Sequence, residues 1–500
     1  MKKLSALLLA TLAMSALPVS AEPQYWVLKP VPVLRTVGAG GQPPTPPELT
    51  MAVGVLPEGM LGKVYNFDFR TVTSIQGAGQ DWGAVTWSLG GGTLPTGLSL
   101  SNDGKLTGRP TVKTETEGAG FTVLGSYKTA SGQQAYTIKV GEAMLRVTKM
   151  ALGSLHTCAV TTAGEAKCWG ANGSGQLGTN STTASLLPVT VPGLGVGVRS
   201  IAAGSTFSCA VTSAGAAKCW GQNLSGQLGN NSTTQSLTPG SVVGLETGVV
   251  EIKVGGSHVC ALTGQGAVLC WGSNSSGRLG DGTTQNRLVP VNVTGLGSGV
   301  TSLSAGSTHT CAVTAAGAVK CWGFNGSGQL GTNNTTSSSV PEDVVGLGSG
   351  VVSIAAGTAS TCAKTAAGGA KCWGSNGSGQ LGNGGSTRST IPVDVAGLTS
   401  GVRSLAVGDA TACAATAAGA AKCWGQGVFG QLGTGSWIAQ SNVPVDVQGL
   451  ATGVEAVQPG LNHVCGFMTN GGMKCWGSNT DGQLGDNSKT NTLAPVNVFD

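Results

Sequence analysis

The chain has 500 residues, of which 84 are glycine and only 10% are charged, with a formal net charge of +5. That composition suits turn-rich all-β structure better than helices, and the 40% hydrophobic content argues against disorder. A charge of +5 over this length is too dilute to point to nucleic acid, so no nucleic-acid partner is expected.

Residues 1–21 have the layout of a signal peptide. Lys2 and Lys3 precede the apolar run Leu4 to Leu17, and Val19-Ser20-Ala21 supplies small residues for cleavage after Ala21. The run is shorter than the roughly 20 residues a membrane span takes, and no later segment is apolar enough to serve as one. The first cysteine is Cys158, so no lipid-acceptor thiol lies near the cleavage site. The expectation is export from a bacterial cell: to the periplasm, the cell surface or the medium.

Residues 22–50 read as a Pro/Gly-rich linker, ending in the stiff stretch Gln42-Pro43-Pro44-Thr45-Pro46-Pro47. Residues 51–142 alternate apolar and polar positions in runs such as Val64 to Phe69, Val85 to Leu89 and Tyr136 to Val140. Turn clusters at Gly90-Gly91-Gly92 and Asn102-Asp103-Gly104 separate some of them. The pattern predicts a small β-sandwich. Leu94-Pro95-Thr96-Gly97-Leu98-Ser99-Leu100, followed by Asp103-Gly104-Lys105-Leu106-Thr107-Gly108-Arg109-Pro110, resembles the immunoglobulin-like domains of bacterial surface proteins. That resemblance implies a spacer. Leu94 to Gly97 is similar to a sortase signal, but it is internal and has no tail of that kind after it.

Residues 145–500 are repetitive. The 14 cysteines form seven pairs with nine residues between partners. Cys158 goes with Cys168, Cys209 with Cys219, Cys260 with Cys270, and Cys311 with Cys321. Cys362 goes with Cys372, Cys413 with Cys423, and Cys465 with Cys475. Successive pairs start 51 residues apart, with 52 at the last step, and each second cysteine is followed by Trp-Gly. A period near 50 residues built from short strands and glycine turns is the size of a propeller blade. In the first repeat, Thr157 to Val160 and Ala166 to Trp169 read as a hairpin around Ala163-Gly164. Val189 to Val191 reads as a further strand, and Val198 to Ala202 as the strand entering the next repeat. Val496-Asn497-Val498 is expected to pair into the first blade near Leu145 to Lys149, joining the ends of the chain. The fold class expected is all-β: a seven-bladed propeller preceded by an immunoglobulin-like sandwich.

The hairpin sets Cys158 opposite Cys168, with residue 159 facing 167 and 160 facing 166. Directly opposed cysteines on antiparallel strands come close enough for a disulfide. An even count and an oxidising compartment support seven such bridges. Zinc is the alternative, but two cysteines on a hairpin without further ligands make a poor site.

The run from Cys168-Trp169-Gly170 through Asn172, Gly175-Gln176-Leu177-Gly178 and Pro188-Val189, with Ala202-Ala203-Gly204 leading into the next hairpin, resembles the repeat of the regulator of chromosome condensation family. The resemblance covers roughly residues 145 to 500 and implies a seven-bladed propeller. The cysteine pairs depart from the usual intracellular pattern and fit export. Guanine-nucleotide exchange, which the family name implies, fits an exported chain poorly, and no family site residue is carried over.

No catalytic residue, cofactor or metal site is expected. His156, His258, His309 and His463 occupy one repeat position that Phe207, Ser360 and Thr411 fill elsewhere, as a hydrogen-bonded strand residue would. No Gly-x-Ser-x-Gly elbow is followed by a helix, and the glycine-rich loops lack the lysine of a phosphate-binding loop. Lys167, Lys218, Lys320, Lys371, Lys422 and Lys474 precede the second cysteines, with Leu269 the exception. They form either a ring for an anionic ligand or solvated heads whose stems pack on tryptophan. Blade six departs most from the pattern. It has Gly427-Val428-Phe429 where most other repeats have Asn-Gly-Ser or Asn-Ser-Ser, and Ser436-Trp437-Ile438-Ala439 in its polar loop. Val428, Phe429, Trp437 and Ile438 are therefore candidate binding residues, with Phe324, Arg287 and Arg388 as weaker ones. Docking of the N-terminal domain is the competing use of that patch. The function expected is that of an exported, non-enzymatic binding protein for a cell-surface protein or glycan. A secreted enzyme inhibitor, similar to the β-lactamase-inhibitory propellers, is the alternative.

Overall fold

The computed structural model describes residues 47–500 apart from 62–63, 77–80, 116 and 142–143, so the signal peptide and most of the linker lie outside the described residues. The strand Glu48–Met51 pairs with Thr73–Gln76, which puts the start of the N-terminal domain inside the stretch expected to be linker. Val85–Gly92, Ala119–Tyr127 and Ala130–Ile138 form one antiparallel sheet, and Tyr65–Asp68, Lys105–Gly108 and Leu98–Leu100 another. Period-two burial along Ala119–Tyr127 turns Phe121, Val123 and Tyr127 inward. They meet Phe69, Trp87, Leu106, Tyr136 and Ile138 in one core, with the Phe69 and Tyr136 rings 5.0 Å apart.

Seven four-stranded antiparallel sheets follow, each a simple meander. The strands of blade one are Val147–Leu152, His156–Thr161, Ala166–Gly170 and Ser185–Thr190, from the central channel outward. The hairpin has the expected register, with Ala159 opposite Lys167 and Val160 opposite Ala166. The outer strand starts earlier than Val189, because its Ser185 pairs with Gly170 across a bulge.

All seven cysteine pairs are disulfides, in the pairing that the spacing predicts. Cys158 is bonded to Cys168, Cys209 to Cys219, Cys260 to Cys270, and Cys311 to Cys321. Cys362 is bonded to Cys372, Cys413 to Cys423, and Cys465 to Cys475. In each the Cα atoms are 4.1 Å apart, the close spacing of a non-hydrogen-bonded antiparallel pair. The register puts both members of each pair directly opposite one another, as with Cys209 and Cys219 or Cys413 and Cys423.

The second strand His156–Thr161 is buried at every position, because neighbouring blades cover both of its faces. The tryptophan of each blade packs against the disulfide of the blade before it. Trp220 sits on Cys158 and Cys168, and Trp169 closes the circle on Cys465 and Cys475. These tryptophans are fully buried, and each removes enough area from water to stabilise a blade junction by roughly 4–6 kcal/mol at most.

Ring closure brings Val498 to Leu145 as expected, but in blade seven and not in the first blade. Thr492–Asn497 is the outer strand of blade seven itself, pairing with Met473–Gly477, and does not enter blade one. The ends of the domain meet beside it. Leu145 N–H donates to Val498 O at 2.8 Å, and Leu145 O accepts from Met473 N at 3.0 Å. Leu245 O accepts in the same way from Ala217 N within the connector that follows blade two. Leu145 therefore occupies, from the N-terminal side, the place beside blade seven that Leu245 holds beside blade two.

Candidate functional site

In a meander, the turn between the first and second strands and the loop between the third and fourth leave the same edge of the sheet. The propeller thus has a long-loop face, built from those seven loops, and a hairpin face opposite.

The loop residues are set by the repeat. Asn172 Nδ2 donates to Ser181 O and Thr183 O, both at 2.9 Å, and Asn172 Oδ1 accepts from Leu177 N at 2.9 Å. Gln176 Oε1 accepts from Ser174 N at 2.9 Å, while its backbone carbonyl accepts the Trp220 indole N–H of the next blade at 2.9 Å. Gly178 has φ +72°, and a Cβ there would lie 2.8 Å from that indole nitrogen. The Gly-Gln-Leu-Gly motif is thus a blade-to-blade joint.

The histidines belong to the same joints. His156, His258, His309 and His463 are fully buried, and each Nε2 meets a hydroxyl of the next blade: Ser208, Thr310, Thr361 and Thr157, at 2.8–2.9 Å. Each hydroxyl also donates to a loop carbonyl, those of Gln176, Arg278, Gln329 and Gln483. A hydroxyl has one proton to give, so the histidine must hold its hydrogen on Nε2. Nδ1 is left as a buried lone pair with no partner. Burial pushes the pKa of His156 down to about 4, and those of His309 and His463 to about 3, with Arg278 and His156 respectively adding to the effect. Where a blade lacks histidine, the next lacks the hydroxyl: Phe207, Ser360 and Thr411 face Val259, Ala412 and Val464 at the corresponding positions.

The lysines do not form an open ring. Lys167, Lys320, Lys371 and Lys422 pair with Asp500, Asp343, Asp394 and Asp446. Lys218 and Lys474 bond to Ser241 Oγ and Asn497 Oδ1 at 3.1 and 2.6 Å. The ammonium groups are tied to the outer strand of their own sheet, except that Lys167 reaches the last residue of the chain.

Blade six has Gly427 where the other blades have the loop asparagine. Its loop is held instead by Gly427 N donating to Ala439 O at 2.8 Å and by the Trp437 indole N–H donating to Val428 O at 3.3 Å. Trp437 is 64% exposed, and Val428 and Phe429 are each 41% exposed. Ile438 differs from expectation: it turns inward and packs on the blade-six core around Leu432 and Val447. Phe324 is 40% exposed. Arg287 is ion-paired to Asp281 at 2.6 Å, and Arg388 Nη1 donates to Gly326 O at 3.1 Å. The structure brings Phe324 and Arg388 together through Gly326, and leaves Arg287 bound within its own blade.

Two loop-face residues escaped the sequence reading. Leu224 is 75% exposed where blade one has Gly173. Arg278 stands at the glutamine position of the joint. Both are departures from the repeat at aligned positions, which is the signal that would have found them. A central cavity of about 470 Å³ is lined by small inner-strand residues such as Ala203, Ala305 and Ala406. Among the described residues no cluster of His, Cys, Asp and Glu is arranged to hold a metal ion, and no helix is long and apolar enough to cross a membrane.

The RCC1-like domain family model matches residues 100–347 and 235–499, and a family model for an Ig domain matches 48–141. The chain is 30% identical over 348 residues to the ultraviolet-B receptor UVR8 of Arabidopsis thaliana, covering 68% of this chain and 79% of that protein. It is 33% identical over 252 residues to the human E3 ubiquitin-protein ligase HERC2, spanning 49% of this chain but only 5% of that far longer protein. Among solved structures it resembles Prp20p of Saccharomyces cerevisiae, with a TM-score of 0.55 and 23% identity, over 63% of this chain and 80% of that one.

Proposed function

Because the chain belongs to the RCC1-like domain family of β-propellers, we propose that it acts by binding, presenting its long-loop face to a protein partner outside the cytoplasm. The observation that carries this reading is blade six. Val428, Phe429 and Trp437 stand exposed on the one long loop between the strands Ala421–Gln426 and Gln440–Asp446, in the blade that has given up the loop asparagine. Large apolar side chains held outward by backbone hydrogen bonds cost solubility, and clusters of them mark interfaces. Seven disulfides in one domain support an oxidising compartment and sit poorly with nucleotide exchange on an intracellular GTPase. The N-terminal Ig-like domain serves as a spacer that holds the propeller head away from its point of attachment. Inhibition of a secreted enzyme is a narrower form of the same reading, favoured by aromatic residues gathered on one face.

The test is capture from intact cells and culture medium with the mature protein beside a V428S/F429S/W437S variant. Ile438 is left intact because it packs in the blade core. A protein retained by the parent and lost by the variant, with unchanged thermal unfolding, supports the reading. Equal capture by both moves the site off blade six.

A further inference from the structure

We propose that the loops of blades three to five carry an acid-recognising half-site, in which Arg278 and Arg388 flank Phe324 and receive a carboxylate-bearing segment of the protein partner. This rests on the long-loop face being the binding face and adds the chemistry of what it binds.

Six of the seven joints have glutamine: Gln176, Gln227, Gln329, Gln380, Gln431 and Gln483. In all six, Oε1 accepts the backbone N–H two residues earlier. Arginine has no acceptor and cannot do this. Arg278 instead donates Nε to Ser275 O and Nη1 to Ser307 O of the next blade, both at 3.0 Å. At the same junction the Trp322 indole N–H is buried without a partner, whereas the other six blade tryptophans reach a loop carbonyl. The arginine therefore stands where local packing favours glutamine, half-buried and fixed by two carbonyls. Its guanidinium has no carboxylate within ion-pair distance among the described residues.

Its surroundings complete the site. Gly323 packs on the Arg278 backbone, where an added Cβ would come within 3.3 Å of the Arg278 α-carbon, so Phe324 emerges beside Arg278. The Phe324 ring lies over Gly326, whose carbonyl holds Arg388 Nη1 at 3.1 Å. The three outer loops of this sector, residues 273–286, 324–337 and 375–388, contain one acidic residue, Asp281, and it is already paired to Arg287. Among the described residues, neither the Arg278 nor the Arg388 guanidinium has an ion-pair partner, and the two stand around one exposed ring. A fixed, partly desolvated guanidinium gains most from a carboxylate taken up in its fork, and the exposed ring offers an apolar contact on the same loop face. The apolar residues of blade six on the same face call for apolar contacts as well. A protein supplies both, and an acidic polysaccharide supplies only the charge.

The experiment pans random peptides displayed on phage against the full mature chain, then measures the selected peptides by anisotropy at physiological salt. The proteins compared are the parent, R278Q, R388S and W437S. R278Q restores the residue of the other six joints, so it keeps the fold, and R388S changes an exposed side chain. The result expected is selection of sequences rich in Asp and Glu beside an apolar residue. Each arginine variant should then lose affinity by about tenfold, with the difference shrinking as salt rises. Selection without acidic enrichment, no selection, unchanged affinity in both arginine variants, or preferred binding of hyaluronate oligosaccharides would overturn the proposal. Affinity lost in W437S alone overturns this half-site and leaves the blade-six reading standing. Affinity lost in the arginine variants alone does the reverse.

Discussion

Each histidine-containing joint depends on one hydroxyl that serves two partners. Thr361 accepts from His309 Nε2 at 2.8 Å and donates to Gln329 O at 2.8 Å. Replacing Thr361 by Val leaves the buried His309 N–H without a partner and takes from the Gln329 carbonyl one of its two donors, the Trp373 indole N–H remaining, at about 1–3 kcal/mol. Converting the joint to the apolar form already present between Phe207 and Val259, with H309F/T361V, should recover part of that loss. A double-mutant cycle by urea unfolding checks this, and independent costs for the two changes would refute the pairing. The histidines also set a pH response. Above pH 6.5 they are neutral in both folded and unfolded chains. Below it the unfolded chain takes up protons that the folded one refuses down to about pH 4 for His156 and about pH 3 for His309 and His463, so stability falls with falling pH. At pH 5 the loss is about 2 kcal/mol for each such histidine. Urea midpoints at pH 7.5 and pH 5 should therefore converge in H309F/T361V relative to the parent.

At the scale of the element, the hairpin and its disulfide form the unit that repeats. The bridge closes a loop of about 11 residues, worth on the order of 2–3 kcal/mol in the chain-entropy model. Replacing both Cys311 and Cys321 by Ala should lower stability by that amount or more, since the Trp373 ring of the next blade also packs on these sulfurs. Guanidinium unfolding of the oxidised parent and the variant measures it. The long loop is the variable element. Asn172 and its counterparts tie it to its own blade, and blade six exchanges that tie for a tryptophan folded back on Val428. Keeping the hairpin fixed while varying the loop lets one blade present apolar residues without weakening the ring.

The ring is closed by a short segment around Leu145 that pairs and packs beside blade seven, rather than by a strand shared between the first and last blades. Leu145, buried with Trp169, Cys465, Cys475 and Val498, comes from the start of the propeller and completes its last blade. L145A should cost about 2–5 kcal/mol, as deletion of a buried leucine side chain does elsewhere. It should also separate the unfolding of blade seven from the rest, which L245A, at the equivalent place inside the ring, should not. Differential scanning calorimetry of the two variants decides between them, and identical single transitions would remove the special role of Leu145.

The repeat made most of the architecture legible. Cysteine spacing, the Trp-Gly that follows, and the glycine loops define blade number, hairpin register and disulfide pairing. All of these are local in sequence or recur at a fixed period, so that Cys270 and Cys372 find their partners by the same ten-residue step as Cys168. The face bearing Val428, Phe429 and Trp437 was also visible, as an apolar break in a polar loop. Contacts between blades were not visible, because they join residues about one period apart whose meaning depends on which face each strand turns to its neighbour. The hydroxyl opposite each histidine and the origin of the closing leucine belong to that class, whereas the outer-strand partners of the lysines and the inward turn of Ile438 lie within one blade and were hidden because they depend on register and on how a loop folds back. Arg278 shows the division most clearly. The sequence marked it only as a departure from glutamine. The tertiary structure decided that its guanidinium would be fixed and half-buried, because the carbonyls that hold it come from two different blades.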